Sequence, residues 1–326
     1  MLEEPAYVSL WQCGELAARA AQLAELLKSC CLCARACGVN RAGGEVGACR
    51  APNVAVVSHA GPHLGEEPGI SGNNGAGNIF FAYCSMACVF CQNYQISQDF
   101  IPEERHFLSV RQLAAVMLDL QQAGCHNINL VSPTHFLPQI VAALDLAAAS
   151  GLRLPIVYNT HGYESVDVLR LLEGIVDIYL PDLKYGDDRR AGELSGAPNY
   201  VRASQAAVKE MYRQVGAMVH LNEAGLISRG LIIRHLVLPE GLAGTGQVLE
   251  FIAGRLSPKV TLSLMAQYYP TNKAACRAPL DRPVTAQEYH QALEMVAQAG
   301  LEIGWRQELS SAASFCPDFN LTRPFA

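Results

Sequence analysis

Short apolar runs alternate with longer amphipathic segments from residue 78 onward. The runs predict seven strands, at 78–83, 127–132, 155–160, 176–183, 231–238, 260–268 and 301–305. Each run is apolar almost throughout rather than at every second position, which is typical of strands buried on both faces of a parallel sheet. The pattern therefore predicts an α/β fold. It is either a partial or open (β/α) barrel with parallel strands or, as the alternative, a doubly wound sheet.

Two of the intervening segments carry a sequence signal for the start of a helix. Ser109 is followed three residues later by Gln112, and Thr285 is followed at the same spacing by Glu288. In this arrangement each side chain accepts a hydrogen bond from the backbone N–H of the other residue, so two donors at the helix start are satisfied. Gly124 ends the first of these helices. The signals place helices in the crossovers between strands.

The first 77 residues have a different character. An amphipathic helix is predicted over 14–29, and a loop-rich stretch with five cysteines follows over 30–49. A stretch rich in Gly and Asn, at 69–78, leads into the first predicted strand. We therefore divide the chain into an N-terminal helix and cysteine-rich metal-binding extension over 1–77 and a β/α barrel over 78–326.

Composition narrows the class of protein. The chain has 326 residues, half of them hydrophobic, and a net charge of −6, so it offers no basic surface for a nucleic acid. No apolar stretch reaches the ~18 residues of a membrane span, and the N-terminal MLEEPAYVSLWQC lacks the apolar core of a secretory signal. We expect a cytoplasmic protein that binds neither nucleic acid nor membrane. Its twelve cysteines then point to metal binding, because cytosolic thiols stay reduced.

Three cysteines follow the first predicted strand. Cys84, Cys88 and Cys91 lie within FAYCSMACVFCQN, separated by three and then two residues. Four thiolates would saturate a [4Fe–4S] cluster, so three leave one iron open to an exchangeable small molecule. A zinc ion completed by a fourth ligand such as His is the alternative. The spacing, at the mouth of a β/α barrel, favours the cluster, with these cysteines as the catalytic ligands.

The three-cysteine motif, with the aromatic Phe90 directly before its last cysteine, resembles the signature of the radical S-adenosylmethionine enzymes. The resemblance implies a partial β/α barrel and a [4Fe–4S] cluster whose open iron chelates S-adenosylmethionine. It also implies reductive cleavage of S-adenosylmethionine to a 5′-deoxyadenosyl radical, which abstracts hydrogen from a substrate. An electron donor such as flavodoxin or ferredoxin would reduce the cluster.

Further segments resemble the pyruvate formate-lyase activating enzymes. CVFCQNYQ places Asn93 against the nucleoside, and YLPDLKYGD places Asp182 and Lys184 near the methionine carboxylate. IIRHLVLP resembles the strand that carries Arg234, and SLMAQYYP places Gln267 at the edge of the nucleoside pocket. This resemblance implies a glycyl residue of a partner enzyme as the substrate. Radical modification of a small molecule or of another protein site is the alternative.

Two segments depart from that family's pattern. YNTHGY has Asn159 where the family places an Asp beside a monovalent cation. LVSPTHF stands where many members have a Gly-Gly-Glu segment that holds the amino group of S-adenosylmethionine. Ser132 and Thr134 could accept from that ammonium instead, while Pro133 removes a backbone N–H. The departures suggest an uncharacterised sister group with an N-terminal cysteine segment.

Four cysteines of the N-terminal extension have the spacing of a second metal site. Cys30, Cys33, Cys37 and Cys49 would supply four thiolates to a zinc ion or to an auxiliary iron–sulfur cluster, with Cys31 as a spare or substitute ligand. Close thiol pairs in short loops are typical of structural zinc, so we prefer a zinc-stapled cap to a redox role.

A different class of protein also fits the cysteine pattern. A non-catalytic iron–sulfur carrier or redox sensor would have two metal sites without binding S-adenosylmethionine. It would give no reason for polar residues such as Asn93, Asp182 and Lys184 to stand at strand ends.

The C-terminal SFCPDFNLTRPFA, with Phe315, Cys316 and Phe319, could line or cover the substrate face.

Overall fold

The computed structural model describes residues 4–310, 317–321 and 324–325. Within these residues the strands form one ten-stranded sheet. The strands are β1 (Ala55–His63), β2 (Ala76–Phe81), β3 (Phe107–Leu108), β4 (Ile128–Val131), β5 (Ile156–Thr160), β6 (Ile178–Pro181), β7 (His220–Leu221), β8 (Ile227–Leu236), β9 (Thr261–Met265) and β10 (Gly304–Arg306).

The helices fill the connections between strands and the N-terminal region. They are α1 (Tyr7–Gln12), α2 (Glu15–Glu25), α3 (Pro68–Ser71), α4 (Tyr94–Ser97), α5 (Val110–Gln122), α6 (Leu137–Ala149), α7 (Val166–Leu171), α8 (Asp188–Ser195), α9 (Tyr200–Val215), α10 (Thr245–Arg255) and α11 (Ala286–Gln298). Short 3-10 turns, Thr134–Phe136 among them, join several of these elements. None of the helices in the described part of the chain has the length and apolar character needed to cross a membrane.

The parallel part of the sheet contains seven strands. They lie side by side in the order β2, β4, β5, β6, β8, β9 and β10. This is also their order along the chain, whereas a doubly wound sheet reverses its order at a switch point. In the described residues β10 pairs with β9 but not with β2, so the barrel is open. The structure confirms the predicted open (β/α) barrel, and each of the seven predicted strands overlaps one of these.

A strand that the sequence analysis did not predict lies beside β2. β1 runs antiparallel to β2, with Ala60 opposite Ile79 and His63 opposite Ala76, and β3 pairs with β1. The sheet therefore begins before residue 78, and the division at residue 77 does not coincide with its edge. β1 contains Pro62, which cannot donate a hydrogen bond to a strand ladder, and its second half is only partly buried.

The predicted helices form where their sequence signals lie. Ser109 and Thr285 are the N-caps of α5 and α11, and both reciprocal hydrogen bonds of the capping box are present in each. α2 packs against α6 on the outside of the barrel and buries Leu16 and Leu23 fully. The N-terminal helix thus covers apolar surface of a crossover helix.

Candidate active site around a three-cysteine loop

The three cysteines line a cavity at the carboxyl ends of the parallel strands. The loop after β2 carries Cys84, Cys88 and Cys91 into the wall of this cavity, whose volume is about 670 Å³. Cys88 is buried, and the other two are partly buried. The side chains that follow β4, β5, β6 and β9 approach from the other walls, as expected at this end of a parallel barrel.

Hydrogen bonds to the backbone hold the loop in place. The N–H groups of Ala87 and Val89 donate to the carbonyl oxygens of Ser195 and Leu194, at the end of α8, at 2.9 and 2.8 Å. The Arg35 guanidinium, from the N-terminal cysteine segment, donates to the carbonyl oxygen of Ser85 at 2.8 Å. The loop is therefore fixed between a barrel helix and the N-terminal extension.

Each sulfur of the loop has a polar neighbour. The Ser195 hydroxyl donates to the Cys88 Sγ at 3.0 Å, and the Cys91 Sγ lies 3.2 Å from the Ser97 Oγ. The Met86 N–H donates to the Cys84 Sγ at 3.4 Å. Donors of this kind stabilise the thiolates of iron–sulfur clusters and tune their potential.

The free thiols of the loop are protonated at neutral pH. Burial raises the pKa of Cys91 to about 11 and raises the pKa values of Cys84 and Cys88 as well. Thiolates at this site therefore require a bound metal, which displaces the protons. In the described part of the chain, no three His, Cys, Asp or Glu side chains converge closely enough to hold a single metal ion.

The predicted site residues meet in this cavity with one exception. Eleven of the twelve residues predicted around the cluster line it: Cys84, Cys88, Phe90, Cys91, Asn93, Ser132, Asn159, Asp182, Lys184, Arg234 and Gln267. They come from segments up to 183 residues apart, since Cys84 and Gln267 differ by 267 − 84 = 183 positions. The structure thus brings together residues that the sequence connected only through motif resemblance.

Thr134 is the residue that lies outside this lining. It is fully buried in the 3-10 turn after β4, and its hydroxyl donates to Glu164 at 2.7 Å. Burial raises the pKa of Glu164 to about 7, although hydrogen bonds from Thr160, Thr134 and Tyr158 act in the opposite direction. The Thr134 O–H is used by Glu164, so toward a ligand this hydroxyl has only its acceptor capacity left. Ser132, two residues earlier, remains at the cavity wall.

Lys184 is buried beside the cavity rather than directed to bulk solvent. Its ammonium group forms an ion pair with Asp182, and the two side chains are 17% and 19% exposed. Burial alone would lower the pKa of Lys184, but Asp182, with help from Cys88, raises it above its ordinary value. The lysine therefore stays charged, and it has further N–H donors for an anionic ligand.

Gln267, proposed for the nucleoside side, belongs to an amide network with Gln92 and Gln307. Gln92 Nε2 donates to the carbonyl oxygen of Gln267 at 2.8 Å, and Gln307 Nε2 donates to Gln267 Oε1 at 2.7 Å. Asn93 lies directly before α4 and has no side-chain capping bond to that helix. Phe90 packs edge-on against Tyr268, with ring centroids 5.9 Å apart. The network joins the end of the cysteine loop to the loop after β9.

Glu66 and Glu67 are cavity residues that the sequence analysis missed. They follow β1, and both form ion pairs with Arg234 on β8; the three side chains are 8%, 6% and 13% exposed. Asn78 and Asn129 each donate to Glu66 Oε1 at 2.9 Å. The only signal in the sequence is two adjacent acidic residues in a Gly- and Pro-rich stretch, which is typical of a solvated loop.

Aromatic side chains from both ends of the chain cover one side of the cavity. Phe325 lies 4.2 Å from His63, and both Phe319 and Phe325 lie 5.3 Å from Phe80, measured between ring centroids. Phe80, His63 and Phe325 line the cavity. Phe315 and Cys316, which we expected near this face, lie outside the described residues.

The N-terminal cysteines fold into a compact segment beside the same loop. Cys30 and Cys49 are buried, Cys33 is partly buried and Cys37 is exposed. The backbone of Cys33 forms a bridge with that of Glu164, just beyond β5. Burial raises the pKa of Cys33 to about 12. The extension is thus attached to the barrel next to the cavity.

Comparisons with known proteins give the family. The model of the Radical SAM superfamily matches residues 78–252. An uncharacterized protein of Methanocaldococcus jannaschii is 30% identical over 285 residues, which cover 85% of this chain and 77% of that protein.

Solved structures are similar at lower identity. Native anSMEcpe with bound AdoMet has a TM-score of 0.45 at 8% identity, covering 67% of this chain and 57% of that one. Streptococcus suis SuiB bound to S-adenosylmethionine has a TM-score of 0.44 at 14% identity, covering 71% of this chain and 50% of that one. This chain spans about half the length of these structures. The family match, which includes the whole three-cysteine loop and more than half of the chain, shows that this protein belongs to the radical SAM superfamily.

Proposed function

We propose that this chain cleaves S-adenosylmethionine reductively at a [4Fe–4S] cluster and uses the 5′-deoxyadenosyl radical to abstract hydrogen from a substrate. The observation that carries the proposal is the meeting of eleven predicted site residues around one cavity. Membership of the radical SAM superfamily implies both the cluster and S-adenosylmethionine. Three buried or partly buried thiols in one cavity wall, each with a polar neighbour, fit such a cluster.

Cys84, Cys88 and Cys91 would hold the cluster and leave one iron for the ligand. When bound, the cluster supplies one electron to the sulfonium of S-adenosylmethionine, and a C–S bond breaks to release methionine. The chain keeps water from the thiols by burying them, and Ser195 donates to the sulfur of Cys88. This donor helps to orient the thiolate and to set the potential of the cluster.

Lys184 would bind the carboxylate of S-adenosylmethionine. A charge-assisted hydrogen bond in a buried site is stronger than one in water, and Asp182 keeps the ammonium in position. Asn93, Ser132, Asn159, Arg234 and Gln267 would contribute further contacts, since all of them line the cavity. The guanidinium of Arg234 is already bound by Glu66 and Glu67. Arg234 would therefore contribute to ligand binding mainly by holding these two carboxylates in place.

For the substrate, we propose a glycyl residue of a partner protein, with flavodoxin or ferredoxin as the electron donor. The support is the resemblance of the cysteine loop and of the Asp182–Lys184 segment to the activating enzymes. A small molecule is the second candidate, because Phe325 and His63 are in contact and cover one side of the cavity.

The production of 5′-deoxyadenosine tests the reaction. Anaerobically reconstituted protein, given dithionite and S-adenosylmethionine, should release 5′-deoxyadenosine, and Cys88→Ala should abolish both cluster and product. Cys125→Ala is the matched control, because Cys125 is an equally buried thiol outside the loop. An iron–sulfur carrier would give no 5′-deoxyadenosine in any variant. That result would overturn the proposal.

The substrate class needs a separate measurement. Active protein mixed with an anaerobic cell extract should generate a carbon-centred radical on a protein, detectable by electron paramagnetic resonance. If the low-molecular-mass fraction alone stimulates 5′-deoxyadenosine formation and no protein radical appears, the small-molecule candidate is correct.

A further inference from the structure

The four N-terminal cysteines are held in one knuckle by short backbone hydrogen bonds. The N–H of Cys30 donates to Val39 O at 2.9 Å, and the N–H of Gly38 donates to Cys30 O at 3.0 Å. The carbonyl oxygen of Cys33 accepts from the N–H of Ala36 at 3.0 Å. These bonds draw Cys30 and Cys37 to adjacent positions on two facing segments.

The return of the chain toward Cys49 passes close to the same sulfurs. Gly47 lies so close to Cys37 that a Cβ at this position would be 2.7 Å from the Cys37 Sγ. Cys49 follows two residues later and is buried. Cys49 is close enough to Cys30 and Cys37, and Cys33 to Cys30 and Cys49, for their charges to interact.

A buried arginine lies among these thiols without a carboxylate. Arg41 is 0% exposed, and its guanidinium donates to the carbonyl oxygens of His135 and Pro52, both at 2.7 Å. Its Nε has no hydrogen-bond partner, and in the described residues no Asp or Glu forms an ion pair with it. Its Nη1 lies 4.0 Å from the Cys30 Sγ.

A buried guanidinium such as that of Arg41 destabilises the folded state unless a negative charge lies beside it. Moving a cation out of water into a protein interior costs several kcal/mol after relaxation, at order of magnitude. The ring of Phe136, 5.9 Å from the guanidinium carbon, offsets only part of this cost. Neutral thiols offset none of it, whereas four metal-bound thiolates would place a net negative charge directly beside Arg41.

We propose that Cys30, Cys33, Cys37 and Cys49 ligate a second metal centre, an iron–sulfur cluster or a zinc ion, whose negative charge is balanced by the buried Arg41. Four thiolates give either centre a net negative charge, so metal analysis decides between the two. The inference does not depend on the substrate or on the radical reaction.

Metal analysis on a variant without the first site tests this proposal. The triple variant Cys84→Ala, Cys88→Ala, Cys91→Ala, purified and reconstituted anaerobically with iron and sulfide, should retain either about four iron and four sulfide per chain or one zinc per chain. Adding Cys33→Ser should remove this metal, while adding Cys31→Ser, at a neighbouring cysteine outside the set, should not. No metal in the triple variant, or a metal content that Cys33→Ser leaves unchanged, would overturn the proposal.

Two further measurements keep the proposal testable. If the triple variant does not fold, the otherwise unchanged chain should lose either about four of about eight iron or one zinc per chain on Cys33→Ser. For the charge balance of a cluster, Arg41→Met should lower its midpoint potential, because a nearby cation stabilises the more negative reduced state; for a zinc site, the same change should let a chelator remove the zinc more readily. Arg41→Lys should restore most of that potential. Equal potentials in the parent, Met and Lys variants would show that Arg41 acts through packing alone.

Discussion

The ion cluster of Glu66, Glu67 and Arg234 gives a prediction that the structure makes quantitative. In Arg234→Met, Glu67 loses both of its side-chain donors, at 2.8 and 2.6 Å. Glu66 keeps only the two amide donors from Asn78 and Asn129. Since all three charged side chains are at most 13% exposed, solvent cannot replace the missing cation. Breaking a buried pair by removing one partner costs about 3–5 kcal/mol, a large part of the ~5–15 kcal/mol that stabilises a typical domain.

The stability lost in Arg234→Met should depend on pH in a defined direction. Burial alone would raise the pKa of Glu66, but Arg234 and then His63 hold it below its ordinary value. In the unchanged protein, Glu66 therefore contributes stability above its unfolded pKa, and this contribution is lost as pH falls through the lower folded pKa. Without Arg234, burial dominates and the folded pKa of Glu66 rises above the unfolded one. The destabilisation should then be largest near about pH 8 and shrink toward about pH 5, where the carboxyl takes up a proton.

Urea unfolding of the apo protein, followed by circular dichroism at both pH values, measures this difference. Arg213→Met is the matched control, because Arg213 also joins two glutamates, Glu173 and Glu210, but is 51% exposed. Solvent screens that cluster, so its loss should be much smaller and nearly independent of pH over this range. If Arg234→Met is no less stable than Arg213→Met at either pH, the buried cluster does not contribute as argued.

Three further predictions concern the cavity. Lys184→Met should weaken S-adenosylmethionine binding ten- to hundredfold, or about 1.5–3 kcal/mol, with iron content unchanged; unaltered affinity by calorimetry would remove Lys184 from the site. Thr134→Val should leave that affinity unchanged but lower the free energy of unfolding by about 1–3 kcal/mol, because Glu164 loses a buried donor. A weaker ligand affinity in this variant would instead place Thr134 at the ligand. Ser195→Ala should lower the midpoint potential of the cluster without loss of iron, since the Cys88 sulfur loses its donor; an unchanged potential in a redox titration would contradict this.

The sequence predicted those parts of the fold that depend on neighbouring residues. The capping boxes at Ser109 and Thr285 are completed within four residues, so they form as expected. The parallel strands are apolar on both faces, and that pattern is visible without knowledge of their partners. β1 was missed because its identity as a strand depends on pairing with β2 and not on its own composition, which includes Pro62.

In the candidate site, too, the sequence predicted what nearby residues determine and missed what distant residues determine. The cysteine site was predictable because one loop contains Cys84, Cys88 and Cys91. The ion pair of Glu66 and Arg234 was not, because the two residues are 168 positions apart and neither segment has a pattern that indicates the other. Thr134 follows Ser132 by two residues, but the 3-10 turn places it outside the cavity lining and beside Glu164. Short spacing in sequence therefore predicted a shared place in the cavity lining only where the backbone did not turn between the residues.

The pairing of β1 with β2 has a consequence for how the chain avoids self-association. All six residues of β2 are buried, and an open barrel leaves the hydrogen-bonding groups of its first strand free to pair with another molecule. β1 occupies those groups, and only the two-residue β3 continues the sheet beyond it. A shortened chain that begins at residue 78, where the family match begins, would expose an apolar edge and should aggregate. The segment before the barrel thus protects the molecule from cross-chain strand addition, whatever metal its cysteines bind.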